Sequence, residues 1–553
     1  MNVLIIGGYG TFGYGIADLL SDEAALSITV AGRNFSKAKA ACKTLSGKAE
    51  FIPLKLDRNG NLAAQIKTPP NIIIDASGPF QNYGDGKRDN VIQYALAHGC
   101  HYLDICDDLE FVDHIQRFDE AAKEKGLTLL SGLSTYPVLT SAAARELGKE
   151  MDGITDIRAG IAPSPKAVMG RNVIAAVAAY AGKKHVGILR GGTFTKTHGL
   201  TETHRETICV PGHKPMPNIL FSVVEGPDPQ ELPRHFKDLK NIWMSAGPRP
   251  EFLHRGLIAL AWLVRLKLLP NIARLSELFH KTQSVVSIGE HRGGMFVRAS
   301  NAGQSRSWHM IAEGDDGPRI PSIPCAIIVR KWLRGETIPP GARTAIRDIN
   351  LSDYDAEFSK LNISHGIHED SRKDRNLYEE ILGEAYNHMS NPLQKLHCIG
   401  KGKSFEGRCK VTRGRNPLSH IVATILRFPK ASPDIPVKVV LTRDGDKEIW
   451  ERFFNGTRMV STQEAGRGKQ SRLVIERFGP IAIYLAILVQ DGKQVLKTTG
   501  WSICGIPLPR VLTPGGEVFE HDADERFNFH VDLVAPIFGR LVKYEGWLEP
   551  QPD

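Results

Sequence analysis

At 553 residues the chain is too long for a single hydrophobic core, so we expect two to four domains. Its 42% hydrophobic and 24% charged residues are typical of a soluble protein, and no apolar stretch is long enough to span a membrane. The net charge of +9 is spread along the chain, which suits an anionic cofactor or membrane surface and does not indicate nucleic-acid binding.

The first thirteen residues predict a dinucleotide-binding turn. Residues 3–6 form an apolar run with the length of a buried parallel strand, Gly8-x-Gly10-x-x-Gly13 follows at once, and residues 14–20 indicate a helix. Gly8 would allow the tight turn, Gly10 the approach of a pyrophosphate, and Gly13 close packing of helix on strand. A glycine-rich turn without a ligand is the alternative. The cofactor residues predicted here are Gly8, Tyr9, Gly10, Thr11, Phe12 and Gly13.

The second predicted strand, residues 27–31, ends without the acidic residue that would hold the ribose hydroxyls of NAD. The chain continues with Ala31, Gly32, Arg33 and Asn34. A guanidinium at this point can pair with a 2′-phosphate, and no carboxylate is present to repel that phosphate. We therefore predict NADP (NADPH) as the cofactor, with Arg33 and Asn34 in its site. The alternative for Arg33 is a solvated neighbour of a helix cap.

Four further strands, at residues 50–56, 71–75, 101–105 and 127–130, alternate with helices, including one over 111–125. They complete a Rossmann-type doubly wound parallel sheet that ends near residue 134. We expect Asp57, just after the third strand, near the adenine, with a turn role as the alternative. The loop after the fourth strand lies at the carboxyl edge of the sheet, where ligands bind. Its predicted cofactor residues are Ser77, Gly78, Pro79 and Phe80.

Four segments together resemble the saccharopine-dehydrogenase-like family in residues, order and spacing, namely residues 7–13, 31–34, 76–80 and 101–105. The resemblance continues through Gly294, residues 315–318 and residues 341–342, and so covers about the first two thirds of the chain. It implies an NADP-binding domain followed by a mixed α/β domain with substrate and dimer contacts, acting on imine or carbonyl carbons derived from amino acids. Some relatives are tied to lipid metabolism.

Candidates for proton transfer lie at the end of the fifth strand. Because alternate residues of a strand point the same way, Tyr102, Asp104 and Cys106 can share one face. We predict Tyr102 and Asp104 as catalytic residues, whereas residues 107–108 are alternatively helix caps. Residues 134–137 are further pocket candidates. Tyr180 and Lys184 fit the YxxxK pattern of short-chain dehydrogenases, but Gly182 interrupts it, and we interpret the match as chance.

The second region mixes helices with strands. We predict an Ala-rich helix over 172–181, paired strands at 295–300 and 307–313, and a helix over 322–333. Residues 252–279 form a basic, Trp-containing amphipathic stretch that Pro270 should kink or divide. Packing against the domain or a second subunit is the favoured interpretation, and contact with a membrane surface is the alternative.

The last part of the chain is rich in predicted strands. Residues 351–375 are polar and predict a linker, in which His365 and His368 are interpreted as solvated rather than metal-binding. A helix over 376–388 is followed by strand patterns from residue 404 onward, typical of a curved antiparallel sheet. This region resembles an uncharacterised domain that accompanies saccharopine-dehydrogenase-like domains in some bacterial proteins.

These observations predict three domains: an NADP-binding Rossmann domain (1–134), a substrate and dimerisation domain (135–353) and a β-rich domain (376–553). The predicted function is hydride transfer between NADPH and an imine or carbonyl carbon of a small metabolite or lipid-linked substrate. The alternatives are a non-catalytic NADP-binding or membrane-surface protein and a short-chain dehydrogenase relative.

The eight cysteines include no CxxC pair, so we expect reduced thiols and no metal site. The chain opens with a strand, which leaves no room for a signal peptide, and we expect a cytoplasmic protein. Peripheral contact with the inner face of a membrane and a homodimer stay open. The expected partner is a small-molecule substrate.

Overall fold

The computed structural model describes residues 1–80, 83, 87–166, 177–270, 272, 289–369, 376–399, 402–444, 447–490 and 492–551. The chain divides into two compact units. Unit 1 comprises residues 1–204 and 220–364, and unit 2 comprises residues 205–219 and 365–553. Parts of two predicted helices, residues 172–176 and residues 271 and 273–279, lie outside the described residues.

The elements of unit 1 are given below. Three of these strands, β10, β11 and β16, have residues in both units. The strands are β1 (Asn2–Ile6), β2 (Ser27–Gly32), β3 (Glu50–Lys55), β4 (Ile72–Asp75), β5 (His101–Asp104), β6 (Thr128–Ser131), β7 (Asp156–Ala162), β8 (Lys184–Arg190), β9 (Thr193–His198), β10 (Thr203–Ile208), β11 (Met216–Val223), β12 (Asn241–Ala246), β13 (Arg292–Ser300), β14 (Ser305–Glu313), β15 (Gly341–Thr344) and β16 (Ile363–Glu369). The helices are α1 (Thr11–Leu19), α2 (Phe35–Thr44), α3 (Leu62–Gln65), α4 (Asn90–His98), α5 (Leu109–His114), α6 (Asp119–Glu124), α7 (Thr140–Gly148), α8 (Asp228–Glu231), α9 (Glu251–Arg265), α10 (Ile323–Leu333) and α11 (Leu351–Phe358).

The first sheet of unit 1 is parallel, with the strand order β15-β6-β5-β4-β1-β2-β3. The apolar runs of β1 and β4 are buried and pair in register, with Ile5 opposite Ile74. The strand order reverses between β1 and β4, which opens the crevice where dinucleotides bind in such sheets. The predicted doubly wound fold is confirmed.

The seventh strand of this sheet was not predicted. β15 comes from residues 341–344 and pairs in parallel with β6, so the sheet extends beyond the predicted residues 1–134. α10 also lies against this part of unit 1, because the buried Arg330 binds Asp22 and Glu23, each at 2.7 Å, and Glu357. The predicted boundary at residues 134/135 therefore does not separate two compact units, and the three-domain division stays a prediction.

The second sheet of unit 1 is mixed. β12 and β7 are parallel, whereas β11, β13, β14, β8 and β9 add antiparallel pairs. The predicted pairing of β13 with β14 is confirmed over nine residue pairs, from Arg292–Glu313 to Ser300–Ser305. The predicted helix over 322–333 is confirmed as α10.

Two local predictions are wrong. The single helix expected over 111–125 consists of α5, a 3-10 turn at Ile115–Phe118 and α6. The polar linker expected at 351–375 begins instead with α11 and β16, because the α11 residues Leu351, Tyr354 and Phe358 recur at helical spacing and are buried. α9 ends at Arg265, five residues before Pro270, and a kink or division of the stretch 252–279 at Pro270 stays a prediction because most residues after it lie outside the described residues.

Unit 2 is built on an antiparallel sheet that closes on itself. The order β22-β21-β20-β19-β18-β17-β27-β26-β25-β23 is completed by a long pairing of β22 with β23, and β24 extends β23. The predicted antiparallel β-rich fold is confirmed. The elements are α12 (Leu377–Leu382), α13 (Asn391–His397), β17 (Lys403–Arg413), α14 (Pro417–Ile425), β18 (Ser432–Asp444), β19 (Lys447–Phe454), β20 (Thr457–Ala465), β21 (Val474–Phe478), β22 (Ile481–Gln490), β23 (Lys493–Ile503), β24 (Ile506–Pro507), β25 (Val518–Ala523), β26 (Arg526–Ala535) and β27 (Gly539–Pro550).

The core of unit 2 contains a polar cluster among its apolar side chains. The buried His397 contacts Glu520 at 2.7 Å, and Gln494 donates to the same carboxylate at 2.6 Å. The ring of Tyr378 stacks on His397, and its hydroxyl donates to Gln463 at 2.9 Å. These contacts pair most polar groups of the cluster, as burial requires.

Candidate functional site

The glycine loop between β1 and α1 has the geometry of a phosphate-binding turn. Gly7 has φ +78°, and the N–H groups of Gly7 and Gly8 both donate to the carbonyl of Ala31, at 2.9 and 3.0 Å. The positive φ therefore lies at Gly7 and not at Gly8, to which the sequence pattern assigns the tight turn. A Cβ on Gly13 would lie 2.3 Å from the Gly7 carbonyl, so Gly13 does permit the predicted close packing.

The surface of the loop is open at Gly10. A Cβ there would meet only the Gly7 carbonyl, at 3.1 Å, among the described residues, and both Gly10 and Thr11 are exposed. α1 begins at Thr11, three residues earlier than predicted, and its first turn has no acidic residue and no side-chain cap in the described chain. Its first N–H groups and its positive dipole end are therefore available to an anion such as a pyrophosphate.

Arg33 lies at the end of β2 with an exposed side chain. Among the described residues it forms no hydrogen bond or salt bridge, so no described carboxylate pairs with it. Asn34 caps α2 by accepting from the Lys37 N–H at 3.0 Å, and its own N–H donates to the Tyr9 hydroxyl at 3.1 Å. The loop and the end of β2 thus form one continuous surface on which a cationic side chain is free.

The loop after β4 is held by a buried ion pair that the sequence patterns did not indicate. The Arg58 Nε donates to Asp75 at 2.7 Å, both residues are buried, and the guanidinium stacks on the Tyr83 ring. Asp75 also accepts from the N–H and hydroxyl of Ser77. Because Asp75 fixes Ser77, the loop has a defined shape where it meets the glycine turn.

The other predicted cofactor residues differ in accessibility. Ser77, Gly78 and Pro79 are half-buried, whereas Phe80 is buried and packs edge-on against Phe111. The carboxylate of Asp57 accepts from the Asn59 N–H at 3.0 Å, which is the turn role given as its alternative. Contact of each of these residues with a cofactor stays a prediction.

The two predicted catalytic residues are fully buried. Asp104 accepts from the N–H groups of Cys106 and Gly132 and from the Ser131 hydroxyl, at 2.9–3.0 Å, so it connects the ends of β5 and β6. Burial raises the pKa of Asp104 to about 6 and raises that of Tyr102 well above its usual range. Their catalytic role stays a prediction, but this placement favours positioning of the loops over contact with a substrate.

Asp108 caps α5, as its alternative interpretation predicts. Its carboxylate accepts from the Phe111 N–H at 2.9 Å, and burial raises its pKa. We expect Asp108→Ala to lower the free energy of unfolding by about 1 kcal/mol, the usual worth of an N-cap. Urea unfolding checks this, with the exposed Glu120→Ala as a matched control. A loss no larger than in the control would contradict the capping role.

A cluster of titratable groups that sequence reasoning missed lies beside the end of β5. Burial raises the pKa of Glu225 to about 7, and the negative charges of Asp107 and Asp108 raise it further, whereas the Gly187 N–H, which donates at 3.1 Å, and Lys196 lower it. Glu225 is nevertheless partly accessible to solvent. In the sequence, Glu225 is simply an acidic residue shortly after β11. Acidic residues at such positions are too common to identify a site.

Tyr180 lies beside Glu225, and His185 stacks on Tyr180. Tyr180 and His185 stack with ring centroids 6.2 Å apart, and burial raises the pKa of Tyr180 and lowers that of His185. The predicted pocket residue Tyr136 donates to the Ser245 carbonyl at 3.0 Å. A second carboxyl, Asp228, has its pKa raised to about 7 by complete burial.

The YxxxK match does not form the arrangement of short-chain dehydrogenases. Residues 177–180 are helical, but Gly182 has φ +73° and Lys184 already begins β8. Tyr180 and Lys184 therefore do not stand one turn apart on a helix.

In the part of the chain that the structure describes, no three His, Cys, Asp or Glu residues are grouped to hold a metal ion. His365 and His368 lie on β16 rather than in a linker, and the buried His368 ring contacts the Cys209 carbonyl at 2.7 Å. Among the described helices, none combines the length and apolar character needed to cross a membrane.

Two family models match the chain. Residues 3–130 match the Saccharopine dehydrogenase NADP binding domain, and residues 389–548 match a Domain of unknown function (DUF4166). The resemblance seen in the residues is confirmed over these ranges, and the first match supports an oxidoreductase. No curated protein matches the chain significantly.

Solved structures similar to the chain are distant in sequence. The apo saccharopine dehydrogenase (L-Glu forming) of Saccharomyces cerevisiae is 13% identical, with a TM-score of 0.46, over 66% of this chain and 99% of its own. A Gfo/Idh/MocA family oxidoreductase from Vibrio cholerae is 8% identical, with a TM-score of 0.27, over 61% and 91%. GenD2 from gentamicin A biosynthesis, in complex with NAD, is 10% identical, with a TM-score of 0.28, over 56% and 71%.

Proposed function

We propose that this chain, whose first 130 residues carry an NADP-binding domain of the saccharopine dehydrogenase type, is an NADPH-dependent reductase of imine or carbonyl carbons. The observation that carries the proposal is the open turn at Gly10 beside the unneutralised Arg33. Bound NADPH would supply the hydride. Gly10 and Thr11 would bind the pyrophosphate, and Arg33 the 2′-phosphate.

The nicotinamide half of a dinucleotide extends to one side of the β1/β4 crevice in this fold class, toward β5 and β6. The groups at the carboxyl end of β5 then face the reacting carbon. As the hydride reaches that carbon, the electron pair of its double bond passes to the oxygen or nitrogen, which needs a proton. The residue that donates this proton must be protonated near neutral pH and accessible.

Glu225 meets both conditions. Its pKa of about 7 leaves much of it protonated at neutral pH, and its side chain is partly accessible. Asp104 and Asp228 also have raised pKa values, but both are fully buried. We therefore assign proton donation to Glu225, with the adjacent Tyr180 positioning it.

The cofactor preference is tested at Arg33. We expect the chain to bind NADPH more tightly than NADH, because a bidentate Arg–phosphate contact contributes about 1.5–3 kcal/mol. Arg33→Asp should reverse the preference, since its carboxylate would repel the 2′-phosphate and accept from the ribose hydroxyls of NADH. Isothermal calorimetry with both cofactors measures this. Lys43→Asp, near the C-terminus of α2, is a matched control for the change in charge. Equal affinities in the unaltered protein would contradict the prediction.

Turnover is tested by NADPH oxidation with 2-oxo acids and aldehydes, each with and without a primary amine. A non-catalytic NADP-binding protein would bind NADPH but would not oxidise it, either with these compounds or with a metabolite extract. We also propose a homodimer and a cytoplasmic location.

A further inference from the structure

α9 has apolar side chains on two opposite faces, and among the described residues only one of these faces is buried. His254, Ala261 and Val264 are buried against unit 1. At about 100° per residue, a second set of side chains points the opposite way and is exposed. This set, with Leu268 just beyond the helix, is called the α9 outer face: Phe252 (60% exposed), Trp262 (40%), Leu263 (37%), Leu266 (60%) and Leu268 (69%).

This concentration is unusual for an exposed surface. Elsewhere in the described chain, exposed large hydrophobic residues occur singly or in smaller groups, such as Leu418 and Ile421 on α14, or Ile506 and Val511 near β24. Single exposed apolar residues are normal, whereas a contiguous patch marks an interaction surface. Packing against the domain, the favoured expectation for this stretch, therefore accounts for one face of α9 only.

The charges beside the α9 outer face are mainly positive. Arg255 and Lys267 are exposed, and Arg265 lies over the Trp262 ring with its Cζ 4.5 Å from the ring centroid. The nearby carboxylates are paired, Glu251 with Arg255 and Glu202 with Arg190.

An apolar patch with a cationic border and a Trp at its edge fits the boundary between lipid headgroups and acyl chains. A second copy of the chain fits less well, because two-fold pairing of this face would bring the same positive border against itself. We propose that the α9 outer face docks unit 1 on an anionic lipid surface. The side chains of Phe252 and Leu266 enter the membrane interface, Lys267 pairs with a lipid phosphate, and Arg255 exchanges its Glu251 partner for another phosphate. This inference does not depend on the proposed reaction.

The test is co-sedimentation of the full chain with phosphatidylcholine vesicles, with and without phosphatidylglycerol. We expect binding only to the anionic vesicles, weakened by high salt. Each basic residue near such a surface strengthens binding roughly five-fold, so Arg255→Gln/Lys267→Gln should weaken it on the order of 30-fold. Phe252→Ser/Leu266→Ser should abolish it. Ile506→Ser/Val511→Ser, at two exposed hydrophobic residues of unit 2, is the matched control and should bind normally.

Tryptophan fluorescence provides a second test of the same assignment. Anionic vesicles should shift the tryptophan emission to shorter wavelength, and Trp262→Phe should remove most of that shift. Circular dichroism verifies that each variant is folded. The proposal is overturned if the folded chain does not sediment with anionic vesicles, or if Phe252→Ser/Leu266→Ser binds as well as the unaltered protein. A lipid-free dimer that this double variant dissociates would assign the face to a second copy instead.

Discussion

Gly10→Val is expected to abolish NADPH binding and to leave the protein folded. The Cβ of residue 10 has room, since among described atoms it would meet only the Gly7 carbonyl at 3.1 Å. The branched side chain would then stand where the pyrophosphate approaches the N–H groups of α1. Loss of two hydrogen bonds to a charged phosphate costs about 3–6 kcal/mol, which corresponds to at least a hundred-fold weaker binding. NADPH fluorescence titration and circular dichroism on one sample measure both effects.

Two further variants sharpen this experiment. Gly303→Val makes the same substitution in the open turn between β13 and β14, where a Cβ would meet nothing within 4 Å, and should bind NADPH normally. Gly13→Val should instead destabilise the turn, because its Cβ would lie 2.3 Å from the Gly7 carbonyl. Undiminished NADPH binding by Gly10→Val would show that the turn is not the cofactor site.

Glu225→Gln should slow reduction on the order of 100-fold or more, the usual contribution of a positioned general acid. In the unaltered protein kcat/KM should fall as the pH rises through about 7, because Glu225 then loses the proton that it donates. In Glu225→Gln this limb of the pH profile should be absent. Glu225→Asp should restore part of the rate and the limb, because it restores a titratable carboxyl.

Two measurements separate this effect from a change in stability. Because the folded pKa is raised, Glu225 stabilises the fold only at low pH, and this contribution is lost as the pH rises from about 4.5 to 7. The glutamine variant should therefore not be less stable above pH 7, by urea unfolding. Glu202, whose carboxylate accepts from the Thr197 hydroxyl and pairs with Arg190, provides the control, and Glu202→Gln should keep the full rate and the pH limb. An unchanged pH profile in Glu225→Gln would refute proton donation by this residue.

Expectations that rest on neighbouring residues agree well with the structure. The strands β1 and β4 form where short apolar runs occur, because a strand buried on both faces needs apolar residues on both. The glycine turn follows from the spacing of its glycines, which only one class of strand-turn-helix unit requires. Even in this turn, the role of each glycine depends on the backbone geometry, since the positive φ falls on Gly7, one residue before the glycine expected from the pattern.

Properties that depend on distant residues were not visible in the sequence. β15 reads Gly-Ala-Arg-Thr and has no strand pattern; it becomes a strand because β6, more than two hundred residues earlier, offers it an unpaired edge. In the same way the closed sheet of unit 2 depends on β17 pairing with β27, at opposite ends of that unit. Such pairings are decided by backbone hydrogen bonding between segments that local patterns do not connect.

The sequence by itself determined the kind of cofactor-binding turn, the cation at the end of β2 and the antiparallel character of unit 2, because each depends on residues close together in the chain. Only the tertiary structure decided the chemical state and exposure of individual side chains. Asp104 and Glu225 are both carboxyls with raised pKa values, but folding buries the first completely and leaves the second accessible. The apolar residues of α9 likewise do not reveal which face is covered, because burial is set by the neighbours that folding brings to each face.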